Sequence, residues 1–172
     1  MLELELRPWR RSDAADAARY ADNPRVAENL RDIFPSPYIL ADAESFIAAC
    51  LETGDRGQLC RAIVVDGTAA GGISVTAGSD VYRRDAELGY WLGEPFWGRG
   101  IMTEAVRRIC REAFERLDIV RIHAAVYARN GASCRVLEKA GFTREGILRR
   151  SVYKNGEVLD ACLYALLREE LP

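Results

Sequence analysis

A mixed α+β fold, with one mainly antiparallel α/β sheet and helices on its faces, follows from three observations. Strand-like and helix-like segments alternate in the order βααα-ββ-βαβα-ββ. Asp66-Gly67 and Asn155-Gly156 each separate two strand-like runs, as two-residue hairpin turns do. Only the strand–helix–strand unit over residues 84–128 demands a parallel crossover.

Residues 2–8 alternate with period two and read as a strand. Ser12, ahead of a run of Asp and Ala, is placed to cap a helix reaching about Ala21. Asn23-Pro24 opens a second short helix with proline at its first position. Pro35 and Pro37 make residues 31–41 a loop, and Asp42 is placed to cap a helix running to Leu51 and stopped by Gly54. Residues 58–65 and 69–77 are strands flanking Asp66-Gly67, and residues 84–93 are a further strand. The helix after Gly100 runs to about Leu117, with Ile101, Ala105, Ile109, Ala113 and Leu117 four apart on one stripe. Residues 119–128 are a strand broken by Asn130-Gly131, and Ser133–Lys139 is a short helix closed by Gly141. Residues 142–153 and 157–167 form the last hairpin.

With 172 residues, no Pro/Gly/Ser linker and no internal repeat, residues 1–172 read as one domain. The formal net charge of −2 and the lack of a long Lys/Arg cluster leave a nucleic-acid partner without an electrostatic footprint. Arg144, Arg149 and Arg150 form a small basic group, read either as a solvated face or as a contact for an acidic substrate. The five cysteines are widely spaced with no CxxC, which argues against a disulfide framework and a zinc site and for reduced thiols in the cytoplasm. The N-terminus has no signal-peptide pattern and no apolar run reaches membrane-spanning length, so no membrane partner is expected.

The most informative stretch is Tyr90 to Ala105. An apolar strand stops at Gly93-Glu94-Pro95, a turn with Gly98 and Gly100 follows, and a long amphipathic helix begins. Such a turn aims unpaired backbone N–H groups, aided by the helix dipole, at an anion. A phosphorylated ligand near residues 97–103 is the first functional inference.

Glu87-Leu-Gly-Tyr-Trp-Leu92, Trp97-Gly-Arg-Gly-Ile-Met-Thr-Glu-Ala105, Asn130-Gly-Ala-Ser133 and Leu137-Glu-Lys-Ala-Gly-Phe142 together resemble the GNAT superfamily of acetyl-CoA-dependent N-acetyltransferases, and within it the RimJ/RimL branch. The motifs cover about residues 86–142, and Arg7-Pro-Trp and the Asn155-Gly156 hairpin extend a looser likeness over most of the chain. The family's Gln/Arg-x-x-Gly-x-Gly/Ala pattern falls on Trp97, Gly100 and Met102, so two of its positions depart from it, while Gly-Ile-Met-Thr suits the RimJ/RimL branch.

The resemblance implies a GNAT-like twisted sheet with splayed central parallel strands and helices on both faces. It implies that the amides of about residues 98–103, spanning Gly98, Arg99, Gly100, Ile101, Met102 and Thr103, bind the pyrophosphate of CoA, with charge from Arg99 and a hydroxyl from Thr103. Trp97 would act through its backbone amide. Open backbone groups near Trp91 and Leu92 would pair with the pantetheine arm like an added strand.

Asn130 is either a turn residue or a donor to pantetheine, and Ser133 is an N-cap, a donor to the leaving thiolate, or both. Glu87 is the leading general base, read equally as an ordinary strand charge, because Ala125 and Val152 occupy positions where relatives carry acids. Asp160 is a second acid, with a fold-stabilising hydrogen bond as its other reading. His123, the one histidine, reads as structural or surface, with a general base as its other reading; Glu138 and Lys139 read as helix surface charges, with Lys139 also in reach of the nucleotide. Tyr127 and Tyr153 either line the acceptor pocket or pack on the sheet.

The implied activity is direct attack of a primary amine on acetyl-CoA, with no metal and no acyl-enzyme on Cys134. The acceptor is a protein N-terminus of the ribosomal-protein type or, alternatively, a small amine such as a polyamine, amino sugar, amino acid or antibiotic. A non-catalytic acyl-CoA-binding module is a third reading. Many relatives form dimers, so a homodimer is among the expected partners.

Overall fold

The computed structural model describes residues 2–171. Seven strands form one sheet in the order β1-β2-β3-β4-β5-β7-β6. They are β1 (Leu4–Pro8), β2 (Gln58–Val65), β3 (Thr68–Ala77), β4 (Asp85–Leu92), β5 (Arg121–Tyr127), β6 (Thr143–Lys154) and β7 (Glu157–Leu167). The helices are α1 (Ala14–Ala21), α2 (Pro24–Ala27), α3 (Leu40–Thr53), α4 (Ile101–Arg116) and α5 (Gly131–Lys139). Every neighbouring strand pair is antiparallel except β4–β5. The mixed, mainly antiparallel sheet expected from the sequence is therefore present.

Both faces are buried, which explains why β2 is nearly all apolar. Leu59, Ile63 and Val65 join a core with the inner stripe of α4, whereas Ala62 and Val64 of the same strand join a second core with Ala17 of α1 and Ile47 of α3. The α4 stripe is buried at Ile101, Ala105, Ile109 and Ala113, while Leu117 is its half-buried C-terminal cap. Burying each isoleucine is worth about 1.5–3 kcal/mol.

The two hairpin signals behave as their chemistry requires. Asp66 and Gly67 have φ of 48° and 81°, and Asn155 and Gly156 have 49° and 79°, so both central residues of each turn are left-handed.

Two expected local roles are corrected. Ser12 caps nothing: it lies inside a 3-10 turn, Arg11–Asp13. Asp13 instead accepts from the Arg10 N–H at 2.8 Å and pairs with both Arg7 guanidinium nitrogens at 2.8 Å. Asp42 is not the first cap of α3 but sits a turn inside, accepting from the Ile39 N–H at 2.9 Å. Glu138 lies exposed on α5, as expected of a surface helix charge, and also accepts from the buried Tyr164 hydroxyl at 2.8 Å.

The feature that makes a site is the β4–β5 pair. These strands pair only at Asp85–Glu87 against Arg121–His123. Beyond that, β4 stays on β3 as far as Leu92 and β5 stays on β7 as far as Tyr127, so a gap opens between them.

Candidate functional site

The gap is a cleft of about 480 Å³. Its walls come from β4, the turn before α4, β5, the start of α5 and the loop after α2. The twelve leading candidates from the sequence line it: Glu87, Trp91, Leu92, Trp97, Gly98, Arg99, Gly100, Ile101, Met102, Thr103, Asn130 and Ser133.

At one end stands the N-terminus of α4. Gly100 is its N-cap at φ 75°, with no side chain capping the first turn. Gly98 is also left-handed at φ 70°, and a Cβ added at either glycine would meet no atom within 4 Å. The turn thus presents open donors beside empty space, the geometry of an anion site. Among the cleft-lining residues are Arg25, Arg31, Arg99, Arg135 and Lys139, against Glu87 as the one carboxylate. That excess of cations suits a phosphate-bearing ligand.

The donor set differs from expectation at Trp97. Its backbone N–H is already used, donating to the Glu94 carbonyl at 3.1 Å. Its indole N–H donates to the Leu92 carbonyl at 2.7 Å, which clamps the strand end to the turn. Arg25 lies over the same indole at 5.5 Å and pairs with Glu94, and Asn23 also donates to Glu94 at 2.7 Å. Trp97 is therefore a brace.

The open edge of β4 is also shifted by one residue. Gly78 N–H donates to Asp85 O at 2.8 Å and Gly93 N–H to Ala70 O at 2.8 Å. In an antiparallel ladder alternate residues share a side, so the backbone of Asp85, Glu87, Gly89, Trp91 and Gly93 faces β3. The backbone of Leu88, Tyr90 and Leu92 faces the other way: Leu88 N–H closes the last β4–β5 rung at His123, and Tyr90 and Leu92 face the gap. Trp91 is thus paired, contrary to expectation, and Leu92 offers its N–H while its carbonyl holds Trp97.

On the β5 side, Asn130 is the N-cap of α5, its Oδ1 accepting from the Ser133 N–H at 3.3 Å. Ser133 is therefore not the cap. Its hydroxyl lies 2.5 Å from the Tyr90 hydroxyl across the gap. Tyr90 is the contact that sequence reasoning missed, since no local pattern links residues so far apart in the chain.

Burial pushes the Cys134 thiol above its ordinary value, which disfavours the thiolate a covalent route would need. His123 lies at the closed end of the splay, its Nδ1 3.0 Å from Asp85 Oδ1. Asp160 accepts from the Arg150 N–H at 2.7 Å, a fold-stabilising bond. Tyr127 lines the cleft, as does Lys139, whereas Tyr153 is 72% exposed on the last hairpin. Arg149 and Arg150 lie on the irregular stretch of the outer strand β6, away from the cleft. No helix among the described residues is long and apolar enough to cross a membrane.

Known proteins are similar to this chain in sequence and in fold. YdaF of Bacillus subtilis (strain 168), named as a proposed ribosomal N-acetyltransferase, is 33% identical over 151 residues, covering 88% of this chain and 76% of that protein. The structure of RimL, a ribosomal L7/L12 alpha-N-protein acetyltransferase solved with coenzyme A, superposes with a TM-score of 0.84 at 26% identity, covering 95% of this chain and 93% of that one. RimJ of Mycobacterium smegmatis, solved with a CoA disulfide, gives a TM-score of 0.85 at 28% identity, covering 98% and 84%. The family described as the acetyltransferase (GNAT) domain matches residues 3–143. With the splayed parallel strands, the glycine turn and these matches in agreement, the chain belongs to the GNAT acetyltransferases, on the RimJ/RimL-like side of the family.

Proposed function

We propose that this enzyme transfers the acetyl group of acetyl-CoA to a primary amine by direct attack, and that the amine is a protein N-terminus. The observation that carries the reading is the single cleft holding both an open, glycine-built helix N-terminus and Ser133. The free N–H groups of the first turn of α4, with Arg99, would hold the pyrophosphate. The gap-facing backbone of Tyr90 and Leu92, beyond the last β4–β5 rung, would take the pantetheine arm as an added strand. The Asn130 side-chain NH₂, left free by its capping role, would donate to the same arm.

Glu87 would receive the proton that the acceptor ammonium loses, directly or through water. A gap-facing N–H of β4 would stabilise the oxyanion. Ser133 would donate to the departing sulfur. Arg25 is paired with Glu94 and Arg99 is assigned to the pyrophosphate, but Arg31, Arg135 and Lys139 against the one lining carboxylate, Glu87, still support a peptide over a polycationic amine.

The test is thioester cleavage with acetyl-CoA against a panel of peptides and small amines. Turnover on peptides alone supports the reading, and turnover on free amines alone moves the acceptor to a small molecule. Binding without turnover on any acceptor reduces the protein to a CoA-binding module. No thermal stabilisation by acetyl-CoA far above a micromolar concentration would remove the cofactor assignment altogether.

A further inference from the structure

We propose that Tyr90 is the positioning residue of the acetyl transfer, its phenol donating to Ser133 Oγ so that the serine's own hydrogen points at the leaving sulfur. The inference rests on the acetyltransferase reading of the cleft. The two hydroxyls are 2.5 Å apart, the short end of the O–H···O range. They come from opposite walls of the splay, β4 and α5, so the bond spans the gap between the parted strands.

Direction follows from acidity. A phenol is a far stronger acid than an aliphatic hydroxyl and is the better donor to it. Burial pushes the Tyr90 phenol up to about 12, against the opposing effect of the Ser133 bond, so it remains protonated and able to donate at neutral pH. The Ser133 backbone N–H is meanwhile held by Asn130, which fixes the serine from its other side. With its oxygen accepting from Tyr90, Ser133 has one hydrogen left to give, and hydrogen bonds in such a chain strengthen one another.

The step balances without another reactant. The amine lone pair forms the C–N bond, the C–S bond breaks, and its electron pair stays on sulfur under the Ser133 hydrogen bond. The nitrogen loses two protons, one from the ammonium before attack and one after the C–N bond forms, each through Glu87 to solvent, and the thiolate takes up one proton from solvent after release. Tyr90 keeps its own proton throughout.

Tyr90→Phe removes one oxygen and keeps the ring that packs on the core. In enzyme that turns over, kcat should fall about tenfold with the KM for acetyl-CoA within about twofold, the worth of one buried hydrogen bond. Melting temperature checks that the variant is folded. The deciding readout is a double-mutant cycle: in a Ser133→Ala background, Tyr90→Phe should cost nothing more. A further loss in that background, or an unchanged kcat for Tyr90→Phe alone, overturns the role of Tyr90 while leaving the acetyltransferase reading intact. A wild type that binds acetyl-CoA but acetylates no acceptor overturns both.

Discussion

The Trp97 indole N–H donates to the Leu92 carbonyl across 2.7 Å, tying the last residue of β4 to the turn that opens α4. This bond fixes where the strand's open edge ends and where the helix's free donors begin. It also occupies a carbonyl of a residue that is only 7% exposed.

Trp97→Phe should therefore orphan that carbonyl. We expect a loss of about 1 kcal/mol in urea unfolding, with an unchanged m value. Calorimetry should show CoA bound several-fold more weakly, because the turn would be less well ordered before the ligand arrives.

Gly100→Val should damage binding beyond its structural cost. The left-handed φ of 75° makes any β-branched residue strained by about 1–3 kcal/mol. Gly67, at φ 81° in the hairpin between β2 and β3 and outside the cleft, supplies the control. Gly67→Val should show a similar stability loss with unchanged CoA affinity. Gly100→Val should lower affinity at least about tenfold, because its side chain fills the open space beside the helix donors.

Acid should weaken the anchor between β1 and α1. Burial acts to raise the Asp13 pKa, but the Arg7 guanidinium and the Arg10 N–H outweigh it and hold the carboxyl below its ordinary value. A depressed carboxyl stabilises fully above its unfolded value and loses that contribution as pH falls through the folded one. Asp13→Asn should cost about 2 kcal/mol at neutral pH, and the gap from wild type should close below about pH 4 in denaturation curves.

The loop after α2 is pinned to the last hairpin by Lys154, a buried lysine whose Nζ lies 2.8 Å from Asp32. Asp32 is itself 83% exposed, so water screens the pair, and Asp32→Asn should lower stability by about 1 kcal/mol. Lys154→Met on top of it should restore part of the loss, since the buried charge is then gone. Kinetic assays on both should show a raised KM for the acceptor and an unchanged KM for acetyl-CoA.

Much of the scaffold was legible because its signals are local. The period of four in α4, the paired left-handed turns at Asp66-Gly67 and Asn155-Gly156, and Gly141 at φ 99° after α5 each act within a turn or two of chain. Capping is less legible: α3 starts at the apolar Ile39 and Leu40, ahead of Asp42, while at Ser12 several polar residues crowd the helix start and which one acts depends on a distant partner, as Arg7 is for Asp13. The order of β5, β7 and β6 was open for the same reason: a hairpin signal says which strands pair, not which outer strand lies beside which inner one.

The sequence by itself determined that residues 97–103 make a glycine turn at a helix start, and that Asn130 and Ser133 open the helix after the crossover strand. Those features are set by backbone stereochemistry and hydrophobic period over a few residues. The family resemblance implied parted central strands, but tertiary structure decided that β4 and β5 part after three paired residues, that Trp97 spends its amide and its indole on bracing, and that Tyr90 meets Ser133 across the gap. Each depends on how whole strands are packed by the two cores, and no local pattern encodes the distance between walls that separate parts of the chain build.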